Sequence, residues 1–320
     1  MGSATVDVFV ETEKQTAAMQ TVDGKEVPFI TYRSGEKVII DKLIFEIGGG
    51  GTNSAAAFVK LGFTTAYFGA IGNDSNGDLV VKGLKEHGVD FIGARVDQLT
   101  NYSVVLESAL LKDRTILVYK GASEHLLSTT VPRISCKLLY VSSLAGDSFR
   151  TALKVMEDRK ASGTRIACNP SNYQIEHNRE DVIAMLKLSS IVALNREEAV
   201  LLVGDGTDRF LCEKLRALGP EIAVVTMGSK GVLVHDGTQC LRAYPIPGLQ
   251  VRETTGAGDC FASTFSAALQ HGQALPDALR WALCNVENHI QHVGAKAGLL
   301  TKSELQFAVL RDSRPIMFEP

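Results

Sequence analysis

Several features that would narrow the function of this sequence at once are missing or scarce. It has one Trp and 9 Pro in 320 residues. So little proline beside 29 Gly excludes a collagen-like or Pro/Gly-rich disordered chain. The six cysteines, Cys136, Cys168, Cys212, Cys240, Cys260 and Cys284, form no Cys-x-x-Cys pair, which excludes a zinc ribbon and a thioredoxin-type motif. Thiols scattered in this way suit buried positions in a reducing compartment. No run reaches the ~20 apolar residues that span a bilayer. A dense basic stripe is also missing, and the formal net charge of −3 argues against nucleic acid as a partner. The opening residues, MGSATVDVFVET, lack the basic-then-apolar order of a signal peptide. Val6 stands where a myristoylation motif needs Ser or Thr. The expectation is a cytoplasmic protein without membrane contact.

What is present suits a large core. Hydrophobic residues make up 45% of the chain, enough for one large α/β domain or two ordinary ones. Alternating or β-branched segments at 5–11, 27–32, 37–44, 65–70, 103–109 and 115–119 read as strands. The later apolar runs at 138–141, 166–168, 191–194, 223–226 and 232–235 are continuous, as strands covered on both faces are. Helical patterns at 53–60, 77–86, 148–160 and 209–217 lie between strands, each followed by a glycine suited to close it. Strand and helix alternate, which implies a doubly wound α/β fold. Two regions, about 9–45 and 102–121, carry strands without a helix. The second reads as a hairpin turning at Lys112-Asp113. Both regions could pair into a small sheet outside the main one.

The most informative segment is Glu253-Thr254-Thr255-Gly256-Ala257-Gly258-Asp259-Cys260-Phe261, ahead of a small-residue helix at 262–271. Small residues at 256–258 let a phosphate approach backbone N–H groups, and the helix adds its positive end. Such a nest can hold the charge that grows during phosphoryl transfer. Asp259 then sits where a carboxylate accepts the proton of an attacking hydroxyl. An ordinary turn, with Asp259 as a helix-start residue, fits the segment equally well on its own. The P-loop, dinucleotide-fold and protein-kinase motifs are all missing.

A second cluster, Gly48-Gly49-Gly50-Gly51-Thr52-Asn53, lies between an apolar strand and a helix. Close backbone approach to a ligand explains four glycines better than a linker or helix packing does. Together, the run from Gly48 through Gly62 and the run from Thr254 to Asp259 resemble the two signatures of the ribokinase-like (PfkB) carbohydrate and nucleoside kinases. Gly69-Ala70-Ile71-Gly72-Asn73-Asp74, Asn195-Arg196-Glu197-Glu198 and Thr226-Met227-Gly228-Ser229-Lys230-Gly231 fall between them in the family's order.

The resemblance implies a three-layer, mostly parallel doubly wound sheet with a small β-sheet lid. The core would comprise 1–8, 46–101 and 122–320, and the lid 9–45 and 102–121. It implies transfer of the γ-phosphoryl group of ATP, with Mg²⁺, to a hydroxyl of a sugar. Asp259 would be the general base, with Gly256, Ala257 and Gly258 as its anion hole. Asn195, Thr226, Gly228, Lys230, Gly231 and Asn285 would meet the nucleotide, and Glu198 the metal through water. Asp7, Gly49, Gly50, Asn53 and Tyr102 would meet the acceptor. Read without the family, Asn195 is a helix N-cap, Glu198 a solvated helix residue and Asp7 a strand-end turn residue.

Some positions depart from the family pattern. Glu253 replaces an aspartate that in many relatives lies near a monovalent-cation site, which leaves K⁺ an open cofactor. Gly50 stands where ribose-specific members carry a lysine. Asn285 lies two residues closer to Gly294 than its family counterpart. The family's first strand runs further ahead of the Gly2-Ser3 pair, so that strand is either shortened here or trimmed. His289 and His292 read as surface or packing residues and Trp281 as core. Specificity would lie in lid residues such as Phe29, Thr31, Arg33, Tyr102, Val104 and Tyr119, whereas Arg33, Lys42, Arg114 and Lys120 read as solvated charges. Exposed lid edges suggest a homodimer. A nucleoside kinase of the same fold, or a non-catalytic nucleotide- or sugar-binding regulator, are the alternative functions.

Overall fold

The structure is a computed structural model that describes residues 1–12, 16–108, 111, 113–131 and 135–319. Its first half runs β1 (Thr5–Glu11), β2 (Thr16–Val22), β3 (Lys25–Thr31), β4 (Lys42–Gly48), α1 (Gly50–Lys60), β5 (Ala66–Tyr67), β6 (Ala70–Gly72), α2 (Ser75–Glu86), β7 (Asp90–Phe91), β8 (Ala94–Val96), β9 (Asn101–Ser108) and β10 (Asp113–Tyr119). Next come β11 (Leu138–Val141), α3 (Gly146–Ala161), β12 (Arg165–Cys168), α4 (Asn172–His177), α5 (Arg179–Leu188), β13 (Ile191–Asn195), α6 (Arg196–Val203) and α7 (Asp208–Ala217). The chain closes with β14 (Ile222–Thr226), β15 (Val232–His235), β16 (Cys240–Ala243), α8 (Ala257–Gln270), α9 (Leu275–His289), α10 (Lys302–Arg311) and β17 (Met317–Phe318).

A seven-stranded sheet in the order β11-β12-β13-β14-β15-β16-β17 forms the centre. Its first four strands are parallel and the rest antiparallel. Successive side chains alternate between faces. Leu139, Ile166, Val192, Ala223 and Leu233 pack on one face with α3, α5, α6 and α7. Tyr140, Ala167, Ile191, Val224 and Val234 pack on the other with α1, α8 and α9. Both faces are dry, which is why these strands read as unbroken apolar runs. The three-layer α/β expectation holds, and Trp281 is buried in the second of these clusters.

Residues 1–3 run beside β11, with Ser142 N–H donating to Met1 O (3.0 Å) and Ser3 N–H to Ser143 O (2.9 Å). The chain then passes into a second sheet, ordered β10-β9-β1-β4. Here β1 pairs parallel with β9 and antiparallel with β4, so the two helix-free regions meet as the sequence suggested. Among the described residues the hairpin β2–β3 forms a separate two-stranded sheet. The turn expected at Lys112-Asp113 falls partly outside the described residues.

Some boundaries differ from the sequence reading. The strand expected at 37–44 is β4, which starts five residues later and ends four later, because Ile44 and Glu46 face the same side as Asp7 and its register follows β1. The segment 65–70 divides into β5 and β6, each pairing with a different short strand. Helices α1 and α8 start earlier than expected, drawing Gly50, Gly51, Ala257 and Asp259 into their first turns. Gly62, with φ 87°, closes α1 as anticipated.

Phe265 is fully buried between α8 and the central sheet. Truncating it to Ala leaves a cavity that the packed sheet cannot fill, and is expected to cost about 3–5 kcal/mol. Equilibrium denaturation reads this directly, and a loss below about 1 kcal/mol would contradict the packing described.

Candidate functional site

The site forms where the start of α8 meets the start of α1. Gly256 is the N-cap of α8, at φ 76°, and a Cβ there would come within 2.8 Å of Ala295 O. Only glycine takes this left-handed turn without strain. Along the two helices Ala56 and Ala57 pack against Cys260 and Leu299. Side chains this small let α1 and α8 approach closely, which carries Asn53 to Asp259. The Asn53 Nδ2 amide donates to Asp259 Oδ2 at 2.9 Å.

Asp259 stands in the first turn of α8. Burial pushes its carboxyl up, against the Asn53 hydrogen bond and the nearby Lys296 and His289, which pull it down. A cavity of about 180 Å³ opens beside it, lined by Asn169, Asn195, Glu198, Thr226, Gly256, Gly258 and Asp259 among others. The Gly258 N–H has no partner among the described residues, and the space where its Cβ would stand is open. The Ala257 N–H already donates to Thr254 O (3.1 Å). Of the three expected anion-hole residues, Gly256 and Gly258 therefore keep N–H groups without a partner among the described residues, and that of Ala257 is engaged. An unpaired N–H at a helix N-terminus is an anion-binding group.

Asn195 and Glu198 cap each other. Glu198 N–H donates to Asn195 Oδ1 and Asn195 N–H to Glu198 Oε2, both at 2.8 Å. This capping box is the plain helix-start role the sequence also allowed, and it fixes both side chains at the cavity wall. Burial pushes the Glu198 carboxyl up to about 7, and the Asp259 charge adds to this. Thr226 ends β14 on the same wall, and Met227 N–H closes the next loop on Gly231 O (2.8 Å). Gly228 and Gly231 both take positive φ in that loop, while Lys230 is exposed.

On the other side of Asp259 lies the glycine cluster. Gly48 ends β4, Gly49 caps α1 at φ 93°, and Gly50 and Gly51 form its first turn. A Cβ on Gly48 would strike Asp7 Oδ2, and one on Gly50 would strike Ser142 Oγ and approach Asp259 Oδ1 to 3.0 Å. The glycines thus make room for polar groups. Asp7 lies opposite Glu46 on β4 and Ser103 on β9 in the strand pairing; burial pushes its carboxyl up, with the Ser103 and Thr5 hydroxyls acting in the other direction. Glu46 is raised for the same reason. A cavity of about 130 Å³ nearby is lined by hydroxyl-bearing Thr5, Ser103, Ser123, Ser143 and Tyr173, together with Lys120. Lys120 sits over the Tyr173 ring.

Two expected site residues lie elsewhere. Tyr102 faces the apolar cluster under β1 and β9, with Val6 and Val104. In a strand, neighbouring side chains point to opposite faces, so Ser103 rather than Tyr102 meets Asp7. Asn285 is fully buried, donating to Thr264 Oγ1 (2.8 Å) and accepting from Leu300 N–H (2.9 Å). Its amide is consumed by helix packing and lines no described cavity. His289 is buried, its ring nitrogens 2.6 and 2.9 Å from Ala297 O and Thr255 O.

Sequence reasoning missed Glu46, Ser142, Asn169 and Lys296. Lys296 donates to Asn53 Oδ1 (2.8 Å) and to Ile47 O. The signal that could have found it is a lone charge within the small-residue run Gly294-Ala295-Lys296-Ala297-Gly298. A larger cavity of about 800 Å³, between β5 and β11, is lined by none of the expected site residues.

Comparison with known proteins is consistent along the chain. A family profile for pfkB family carbohydrate kinases matches residues 17–299. The chain is 25% identical to a ribokinase of Lactococcus lactis over 317 residues, covering 96% of this chain and 94% of that one. It is 26% identical to a cytidine kinase of Thermococcus kodakarensis over 170 residues, 52% of this chain and 60% of that one. The solved structure of Arabidopsis thaliana ribokinase with ribose and ATP superposes with a TM-score of 0.78 at 22% identity, covering 96% of each chain.

Gly256→Ala forces a side chain into a left-handed turn and against Ala295 O. The substitution is expected to destabilise the protein by about 1–3 kcal/mol, as strained positive-φ residues do. Urea denaturation measures it, and an unchanged midpoint would contradict this geometry.

Proposed function

The chain belongs to the pfkB family of carbohydrate kinases, and we propose that it transfers the γ-phosphoryl group of ATP to a hydroxyl of a neutral sugar, with Asp259 as general base. One observation carries this reading. The Asp259 carboxylate, raised by burial, stands between a cavity that begins at the free Gly258 N–H and a hydroxyl-rich, glycine-cleared region around Asp7.

In this reading other hydroxyls of the acceptor bond to Asp7 and the glycine-cleared backbone, and Asp259 takes the proton of the attacking hydroxyl as its oxygen attacks the γ-phosphorus. The bond to the leaving ADP oxygen breaks. Negative charge on the transferring phosphoryl group meets the Gly258 N–H and the positive end of α8. A carboxyl pushed upward is a better proton acceptor near neutral pH than an ordinary aspartate. Thr226 and the loop carrying Gly228, Lys230 and Gly231 are assigned to the nucleotide.

Among the described residues no three His, Cys, Asp or Glu side chains form a metal cluster. Mg²⁺ fits here as an ion held chiefly by the nucleotide phosphates, with Glu198 and Asn195 reaching it through water; it would supply charge neutralisation on those phosphates. Glu198, a half-buried carboxyl with a raised pKa, gains from a cation placed nearby. K⁺ belongs to the proposal through Glu253 alone. One oxygen of this buried carboxylate accepts the Gly294 N–H (2.8 Å), and the other has no partner among the described residues.

The acceptor class follows from charge. Asp7, Glu46 and Asp259 are all coupled to the single ammonium of Lys296. In the adjoining hydroxyl-rich cavity Lys120 is matched by Glu124, so three carboxylates against one cation still disfavour a phosphorylated or acidic acceptor and suit a neutral polyol. A nucleoside is the second reading, favoured by the similarity to the cytidine kinase. The sheet β10-β9-β1-β4 serves as the lid that excludes water, with 9–45 and 102–121 as its two segments. Leu43 and Phe45 on β4, and Ile116, Leu117 and Val118 on β10, leave apolar surface exposed. Such a surface supports a homodimer through the lid. No helix among the described residues is long and apolar enough to cross a membrane; a cytoplasmic location remains part of the proposal.

An ADP-release screen over pentoses, hexoses, inositols, sugar acids, sugar phosphates and nucleosides tests the function. At least one neutral sugar is expected to raise ADP release about 100-fold or more above hydrolysis of ATP alone, within the range that positioning supplies. Turnover confined to nucleosides would replace the sugar assignment. Turnover confined to sugar phosphates or acids would contradict the charge argument, and turnover with none would point to a non-catalytic binding protein.

A further inference from the structure

Lys296 is a site group that neither signature announces, and its contacts are specific. The loop after α9 brings it under the start of α1. There its ammonium donates to the Ile47 carbonyl, which fixes the head, and to Asn53 Oδ1 at 2.8 Å. The other end of the same amide donates to Asp259 Oδ2 at 2.9 Å. Lysine, asparagine and aspartate therefore form a directed chain ending on the assigned base.

The direction matters because an asparagine amide is nearly symmetric in shape but not in chemistry. One end only accepts and the other only donates. Lys296 has donors and no acceptor, so it tolerates only Oδ1. Once Asp259 has taken a proton, its own O–H would gain from a flipped amide that offers Oδ1. Lys296 opposes that flip, and so favours the ionised carboxylate at every stage. We infer that Lys296 is a positioning residue for the base, acting through Asn53 to hold Asp259 in its proton-accepting form. The inference rests on the assignment of Asp259 in the proposed function.

The titratable groups coupled electrostatically to Lys296 are Asp7 from β1, Glu46 from β4, Asp259 from α8 and His87 at the end of α2. Glu253 couples to Asp7 and Glu46, and His289 of α9 couples to Asp259. Burial lowers the Lys296 ammonium to about 8, with Asp7, Asp259 and Glu46 pulling it back up. Below that pH the cation is present and the amide is oriented. As pH rises through it the cation is lost, and activity falls with it.

Three variants and two readouts test this. Lys296→Met removes the charge and the donor, Lys296→Gln keeps a donor without charge, and Lys296→Arg keeps the charge. In Lys296→Met, kcat is expected to fall about 10- to 100-fold, the low end of what a misplaced base costs, with the KM for ATP within about twofold. The acidic limb of the pH profile should move upward and the alkaline limb near pH 8 should vanish. Lys296→Arg should restore part of kcat and push the alkaline limb to higher pH. Independently of any acceptor, the Asp259 carboxyl followed by ¹³C NMR against Asp259→Asn should titrate at higher pH in Lys296→Met. If that variant does not fold, Lys296→Gln must show the same upward shift. An Asp259 titration and pH profile that match the wild type in the folded neutral variant would overturn the inference. Absence of wild-type turnover with every acceptor would instead strike at the proposed function; the NMR titration, which needs no turnover, then decides the role of Lys296 by itself.

Discussion

Burying one carboxylate at the first turn of a helix governs the arrangement of this site. A buried charge without partners is costly, so Asp259 must be given donors and a favourable field. The start of α8 supplies the field, Asn53 supplies the donor and Lys296 supplies a counter-charge. Each makes its own demand. Asn53 can reach only because alanines and Cys260 let α1 lie close to α8. Gly294, Gly48 and Gly50 leave the space that the Glu46, Asp7 and Ser142 side chains occupy. The glycine excess is thus a set of clearings around buried charge more than a source of flexibility.

The two sheets divide the remaining work. The central sheet ends β13 and β14 at Asn195 and Thr226, on the wall of the cavity beside Asp259. The second sheet carries Asp7, Glu46 and Ser103 toward the same carboxylate from the other side. Residues 1–3 belong to the edge of the first sheet and β1 to the second, so the chain crosses between them a few residues before Asp7. In the proposed reading, nucleotide and acceptor arrive from these two sides and meet at the base.

Most of the fold was legible because continuous apolar strands and glycine-closed helices have strong periodic signals. The site was legible where chemistry is written as a cluster, at Gly48–Asn53 and Thr254–Asp259. It was illegible where placement depends on parity or packing. Tyr102 and Ser103 are adjacent, and only the register with β1 decides which one meets Asp7. Asn285 sits on a helix buried on several sides, where an amide is as readily used for packing as for a ligand. Asn195 and Glu198 carry both meanings, since the capping box that starts α6 also sets them at the cavity. Lys296 follows no motif at all; its role depends on a loop 243 residues along the chain from Asn53.

The central claim is that Asp259 accepts the proton of the attacking hydroxyl. The most direct measurement compares Asp259→Asn with the wild type in steady-state turnover and in nucleotide affinity. Asparagine keeps the size and can still hydrogen-bond Asn53, but it cannot take the proton. The account predicts turnover lower by about 100- to 10,000-fold, the contribution typical of general-base catalysis, with MgATP affinity within a few-fold. Turnover close to wild type would contradict it.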